Sequence, residues 1–315
     1  MAKSFLIPFV LALLFYFILS PILDLLTRLK IGRGVAVAII LLVTALVLYL
    51  MGILFYESGK SFAENIPKYG QKFSEMIDSL QKTFKLSQTK WDPLVWLKSL
   101  DIAKVGSVAL TSLGNFLSFL ANLFLVLIFL IFMLAGRGKL DDKIARSFSP
   151  HRASQLNHIL ERIDAQVQKY LAIKTLMGIV SGVLAFLVLK IFGVDFAIVF
   201  AFLTFLLNYI PNIGAFFSKI LPFLVAIIQF GSFWRAVWII IIMTIFDTIT
   251  GMFIEPRLMG RSLGMSPLAI LFALFFWGWL WGVPGMILAV PILAVVKIIC
   301  SNFPELRFAE SLLSK

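Results

Sequence analysis

The chain has 315 residues, 61% of them hydrophobic and 14% charged, and its mean hydropathy is +1.00. Soluble domains are roughly 45–50% apolar and about 25% charged, so a water-facing fold would lack the polar surface to cover itself, and lipid must solvate the excess. A soluble enzyme, a disulfide scaffold and a disordered regulator are excluded together. The net charge of +12 does not point to nucleic acid, because the bases lie between apolar runs rather than on one face.

Crossing the hydrocarbon layer takes about 20 apolar residues. Residues 4–20, 35–56 and 113–135 meet or approach that length. After Lys169 the chain is almost continuously apolar to Cys300, cut at Gly193, 211–214, Gly231, 255–266 and 282–285, which predicts six further helices and nine hydrophobic elements in all. Lys3 precedes the first run, as in a signal peptide, but no small-x-small cleavage site follows. Ser20-Pro21 leads into a charged turn, and the run reads as a retained membrane helix. Cys300 has no second cysteine to pair with.

The expected fold is therefore all-α, a polytopic membrane helix bundle of eight or nine hydrophobic helices, some short, broken or re-entrant, with a small helical extramembrane part. By segment, 1–56 is a transmembrane hairpin, 57–110 an extramembrane amphipathic segment and 111–135 a transmembrane helix. Residues 136–171 are cytoplasmic amphipathic helices, 172–300 a transport core with broken hairpins, and 301–315 a cytoplasmic tail. In the second segment Ile66, Tyr69, Phe73, Ile77, Leu80 and Phe84 recur at helical steps, and Asp92-Pro93 reads as a helix start. In the fourth, Ser149-Pro150 starts a helix whose stripe of Leu156, Ile159, Ile163, Val167 and Tyr170 runs into the next membrane run.

The bases set the orientation. Arg28, Lys30 and Arg33 follow the first run, seven bases lie between Arg137 and Lys169, Arg257 and Arg261 follow the seventh run, and Lys297, Arg307 and Lys315 close the chain. All fall on one side if every run crosses once, which predicts a cytoplasmic C-terminus and an external N-terminus. Residues 57–106 carry eight bases and six acids and would lie outside; the rule governs segments this long only weakly.

No enzyme motif is present: there is no Gly-x-Ser-x-Gly, no His-Glu-x-x-His, no phosphate-binding glycine loop and no cysteine pair. His151 and His158 share a helix face without a third ligand, so they read as surface residues, and neither metal nor cofactor is expected. The chemistry is sought instead in polar and helix-breaking residues at membrane depth. Residues 195–210 and 216–230 are each slightly short for a span and flank Asn208, Pro211, Asn212 and Gly214. Paired short segments with Gly/Pro breaks point to a transporter's substrate site. Residues 267–281 and 284–300, interrupted at Gly282, Pro284 and Gly285, form a second such pair, which reads equally as an ordinary tight turn.

The seventh run holds Asp247 in an apolar segment. An ionised carboxylate there must face the bundle interior, be paired or be protonated. Thr244, Thr248, Gly251 and Glu255 fall on one helical face bordered by Asp247, a stripe that suits an ion or polar-solute path; the structural alternative ties Asp247 to Lys219 or to nearby backbone. Thr111, Asn115, Ser118 and Asn122 form a third stripe that suits interhelical hydrogen bonding. Gly178-x-x-x-Gly182 and Gly278-x-x-x-Gly282 favour close helix contact, and Trp277, Trp279 and Trp281 read as interfacial anchors.

Three strings, residues 207–214 (LNYIPNIG), 254–264 (IEPRLMGRSLG) and 276–291 (FWGWLWGVPGMILAVP), closely resemble the autoinducer-2 exporter (AI-2E) family of bacterial membrane permeases, and Pro8-Phe9-Val10 and Ser20-Pro21-Ile22 resemble its opening block. The resemblance implies a multi-pass inner-membrane permease, with members assigned to export of autoinducer-2 or to sodium or lithium antiport against protons, and a homo-oligomer, a pentamer. By position it places Asn208, Pro211, Asn212 and Gly214 in the substrate-side hairpin, and Glu255, Pro256, Arg257 and Gly260 in the motif closing the seventh helix. Gly282, Pro284, Gly285 and Pro291 belong to its last string. Many relatives carry a further hydrophobic helix before the block that begins here at Pro8. Many also place Gln, Glu or Asn within residues 246–252, where this chain has Asp247 and threonines, and an acid favours a cation or proton over a neutral sugar-like solute.

The partners expected are the lipid bilayer and a small polar solute, monovalent cation or proton. Export of a small polar solute is the first reading and sodium/proton antiport the second. A membrane scaffold or envelope-assembly factor acting through the extramembrane helices is the third.

Overall fold

The computed structural model describes residues 2–84, 123–136, 139–211, 213–259 and 264–314. Among them there is no β-strand, only an isolated bridge between Met265 and Ser314. Six helices are long and apolar enough to cross a membrane, and Leu123–Gly136, Ala197–Leu207 and Pro267–Trp281 are shorter apolar helices. Each of the nine expected runs thus has its helix. The Asp92-Pro93 start, the polar stripe at 111–122, Asn212 and Gly260 lie outside the described residues.

The chain divides into two compact units. The first comprises Met1–Val47, Leu120–Met177 and Phe253–Lys315. It contains α1 (Ala2–Arg28), the start of α2 (Arg33–Phe84), α3 (Leu123–Gly136), α4 (Lys139–Ser147) and the first part of α5 (Pro150–Ile191). Leu23, Ile40, Leu130 and Leu134 form its buried core, with Ala12 and Ala36 fully buried between helices. Small residues at such positions let helix backbones approach where lipid supplies no hydrophobic drive. Arg33 donates from Nη2 to the Leu134 carbonyl at 3.0 Å and so satisfies an end of α3 that has no intrahelical partner.

Two boundaries differ from those expected. The turn after Ser20-Pro21 is absent, and α1 continues to Arg28. Ser20 and Leu23, on either side of Pro21, are buried, so packing offsets the lost hydrogen bond. The chain turns instead at Lys30, whose φ of 63° is left-handed. Likewise the second membrane run and the amphipathic stripe are not separate elements but one helix of 52 residues, about 78 Å long at 1.5 Å per residue. That is more than twice the hydrocarbon thickness, so α2 is longer than one crossing needs. The stripe on α5 does run into its membrane segment as expected, with Ile159, Val167 and Tyr170 buried.

The second unit comprises Leu48–Phe119 and Gly178–Met252. It holds the rest of α2 and α5, then α6 (Ala197–Leu207), α7 (Ile213–Phe230) and α8 (Phe233–Thr248). Leu189, Phe200, Ala226 and Ile239 bring the last four helices into one core. The Gly178 and Gly182 pair has the role read from its spacing: a Cβ at either would come within about 3.0 Å of Phe205 or of the Ala201 carbonyl, so α5 and α6 pack backbone to backbone.

The second half of α2 is strapped to this core by polar contacts. Tyr69 donates from its hydroxyl to Asp195 Oδ2 at 2.7 Å, and the Asp195 amide donates to Gln229 Oε1 at 2.9 Å. Lys72 Nζ donates to the Gln229 carbonyl at 2.5 Å. Asp195 precedes Phe196, a left-handed residue at φ 60°, whose ring Tyr69 meets edge-on at 6.5 Å. Burial first, then the hydrogen bond to Asp195 and its negative charge, push the Tyr69 phenol above the ordinary tyrosine range. A raised folded-state value means the bond's stabilisation is complete below the unfolded tyrosine value of about 10 and is lost as pH rises above it. Tyr69→Phe is expected to cost about 1–2 kcal/mol in denaturant unfolding in detergent at neutral pH, with the difference from the native chain shrinking above pH ~10.

Candidate functional site

The hairpin between α6 and α7 is built by a short helix and a forced turn. α6 has 11 residues, about 17 Å, too short to cross on its own. It ends at Asn208, whose amide donates to the Thr204 carbonyl at 3.0 Å. Ile210 then donates to Leu207 O at 2.9 Å and Gly214 to Ile210 O at 3.1 Å, so the broken backbone satisfies itself inside the hairpin. Tyr209 and Ile210 are buried, while Asn208 and Pro211 are half-buried. Gly214 is required by close approach: a Cβ there would lie 1.7 Å from the Leu207 carbonyl oxygen. Gly214→Ala is therefore expected to lower the midpoint of thermal unfolding in detergent by several degrees, whereas Gly34→Ala, where a Cβ meets nothing within 4 Å, leaves it within about one or two.

From this hairpin α7 carries Lys219 to Asp247 on α8. Lys219 Nζ lies 2.8 Å from Asp247 Oδ2, with side chains 14% and 20% exposed. Among the described residues no hydroxyl or amide donates to that oxygen, so the ammonium is its partner. The tie of Asp247 to Lys219 is thus present in the structure. The carboxylate also borders a small cavity lined by Ser181, Leu184 and Ala185 of α5 and by Met243 and Phe246 of α8.

After Thr248 the helix widens into a π-helical turn, Ile249–Ile254. The predicted stripe holds for its first step: Thr248 donates to the Thr244 carbonyl at 2.8 Å, although Thr244 is exposed and Thr248 half-buried. It does not continue. Each π residue advances by less than the roughly 100° of an α-helix, so Gly251 leaves the face defined by Thr244 and Thr248. Gly251 is exposed. Thr250 is buried and donates to the Phe246 carbonyl at 3.0 Å and the Asp247 carbonyl at 3.2 Å, bonding backbone that the wide turn loosens.

In the first unit, Glu255 opens the short helix α9 (Glu255–Met259). Its Oε1 lies 2.6 Å from Lys174 Nζ on α5, with side chains 17% and 6% exposed. Lys174 is the functional candidate that the sequence reading missed. It is a lone base inside an apolar run, and the expense of that placement was the available signal. Pro256 and Arg257 are exposed.

The last pair of helices, α10 (Pro267–Trp281) and α11 (Val283–Asn302), is joined by a tight turn. Gly282 takes φ 70° and its amide donates to the Gly278 carbonyl at 2.8 Å. It serves the turn; the close contact expected of the Gly278–Gly282 pair is made at Gly278, against Met286. Pro284 sits in the first turn of α11, Gly285 is buried with a Cβ position 2.0 Å from the Trp277 carbonyl, and Pro291 is buried within α11. Trp277 and Trp281 pair at 4.6 Å between ring centroids, while Trp279 is 78% exposed.

Apolar helices, a break at α6–α7 and largely enclosed lysine–carboxylate pairs mark a multi-pass membrane protein. Comparison with known proteins places it among such molecules: the AI-2E family transporter model matches residues 1–305, and the chain belongs to that family. It is 32% identical over 318 residues to a Haemophilus influenzae protein, covering 97% of this chain and 88% of that one. It is 30% identical over 308 residues to the AI-2 transport protein TqsA of Escherichia coli, covering 94% and 86%. It is also 30% identical over 299 residues to YhhT of Escherichia coli, covering 94% and 84%. The chain is a membrane transporter and not an enzyme.

Removing one partner of a buried pair leaves an uncompensated charge, at a cost of about 3–5 kcal/mol. Lys174→Met and Glu255→Gln are each expected to destabilise the protein in detergent. The double variant should recover most of the loss of Lys174→Met, giving a coupling energy of at least about 1 kcal/mol in a double-mutant cycle.

Proposed function

We propose that this transporter is a secondary permease of the bacterial inner membrane that exports a small polar solute of the autoinducer-2 kind, with an acidic side chain carrying a coupling proton or ion. Asn208, Pro211, Asn212 and Gly214 hold the solute at the hairpin, and Asp247 or Glu255 carries the coupled charge. The observation that supports this reading most is the Lys219–Asp247 pair at 2.8 Å, because α7 leads from the solute hairpin directly to the lysine. A solute bound at residues 208–214 and a charge exchanged at Asp247 would act on the same helix. The name of the relative TqsA supports the solute class.

A second reading, sodium or lithium exchange against protons, is favoured by the carboxylate itself. A carboxylate such as that of Asp247 accepts a monovalent cation or a proton in place of the lysine ammonium. In both readings the chain works as a homo-oligomer, a pentamer, with the C-terminal side in the cytoplasm.

Flux into reconstituted vesicles separates the two. With labelled autoinducer-2 and a pH gradient, the first reading predicts solute movement that Asp247→Asn and Glu255→Gln together reduce by at least about tenfold; unchanged flux and pH dependence in both variants would remove the coupling role. The second reading predicts that a sodium gradient alone moves internal pH, and a flat trace excludes it.

A further inference from the structure

Beyond α11 the chain turns through Pro304–Leu306 into a short last helix, α12 (Arg307–Leu313). Phe308 and Leu312, four residues apart and hence on one face, are 76% and 63% exposed, and Phe303 and Leu306 just before them are each 41% exposed. Arg307 lies about 100° around the helix from Phe308 and is exposed. This face covers nothing within the described residues of the chain.

The helix is nevertheless held in place. The Ser266 amide donates to the Leu313 carbonyl at 2.9 Å, Met265 and Ser314 form an antiparallel bridge, and Lys297 Nζ donates to the Gly264 carbonyl at 2.8 Å. Ser266 immediately precedes α10 and Lys297 lies in the last turns of α11. α12 is therefore pinned at the level where two apolar helices end. Those ends are themselves bare: Leu268 and Phe272 at the start of α10 are 77% and 71% exposed, and Ile299 near the end of α11 is 36% exposed. In a membrane transporter such residues face acyl chains. Phe308 and Leu312 continue that surface past the point where α11 leaves the hydrocarbon.

We propose that α12 is an interfacial membrane helix, lying in the bilayer surface with Phe308 and Leu312 in the headgroup–acyl boundary and Arg307 toward the lipid phosphates. Amphipathic helices bind in this plane; Glu305 and Glu310 share the segment with Arg307, so apolar burial rather than net charge holds it there. Through the bonds from 264–266 to Lys297 and Leu313–Ser314, the helix anchors to the membrane residues 264–266, which lead into α10. This inference requires only that the chain is a membrane protein and holds whatever is transported.

Cys300 is the only cysteine, so a Cys300→Ser background permits single nitroxide labels on the full chain in vesicles of phosphatidylcholine and phosphatidylglycerol. Labels at Phe308→Cys and Leu312→Cys are expected to collide more with oxygen than with a water-soluble nickel chelate, and a label at Arg307→Cys the reverse. Free access of the nickel chelate to all three positions would mean that the face lies in water. Exclusion of both reagents from 308 and 312 would mean that protein, such as a second copy of the chain, covers it; either result overturns the proposal. In the unlabelled chain, Phe308→Ser with Leu312→Ser should raise amide exchange over residues 303–313 and 264–266 by about tenfold, in vesicles but not in a fully solubilised state. Equal exchange in native and variant chains in vesicles would also overturn it.

Discussion

The constraint on which this structure turns is the cost of holding a carboxylate where water is scarce. An ionised acid among apolar helices is tolerated only with a counter-charge at contact distance, and the chain supplies one lysine for each: Lys219 for Asp247 and Lys174 for Glu255. Each pair lies within a single compact unit. The two acids flank the π-helical turn Ile249–Ile254 in sequence, Asp247 two residues before it and Glu255 directly after it. A wide turn loosens backbone hydrogen bonds and is frequent at functional sites; here the Thr250 hydroxyl compensates by bonding two carbonyls at once. The most costly side chains and the least regular backbone thus fall in one short stretch of a transporter, where stability alone would have favoured leucines.

The same economy of polar groups shapes the break at α6–α7. The loop folds its amides back onto Leu206, Leu207 and Ile210 rather than leaving them to lipid, and Gly214 lets the start of α7 press on the end of α6. The turn at Gly282 resolves the second predicted break differently. It closes an antiparallel pair whose contact is made by Gly278 and Gly285, and it carries no polar side chain of its own. The first break thus folds its own amides inward, while the second closes a tightly packed helix pair.

Much of this was legible in the residues because apolar runs of given length and breaks at Gly and Pro report directly on lipid. The nine hydrophobic elements, the α5 stripe entering the membrane and the Gly178–Gly182 contact all follow from spacing. What escaped was tertiary in origin. Nothing local in Ser20-Pro21 shows that burial of Leu23 carries the helix through, and nothing local in residues 249–254 announces a π turn that moves Gly251 off the threonine face. Lys174 was passed over because lysines were weighed as topology signals at run ends, although a base in mid-run calls for a partner as an acid does. Family membership fixes the class of protein.

The central claim is that Asp247 acts through its chemistry and not only as half of a structural pair. Exchanging the charges, Lys219→Asp with Asp247→Lys, keeps an ion pair in the same place while moving the carboxylate to α7. Proton-coupled flux in reconstituted vesicles is the measurement, made on a variant whose unfolding in detergent shows that it is assembled. A stable exchanged protein with coupled flux reduced by at least about tenfold is the result this account predicts; a stable exchanged protein that transports like the native chain would contradict it.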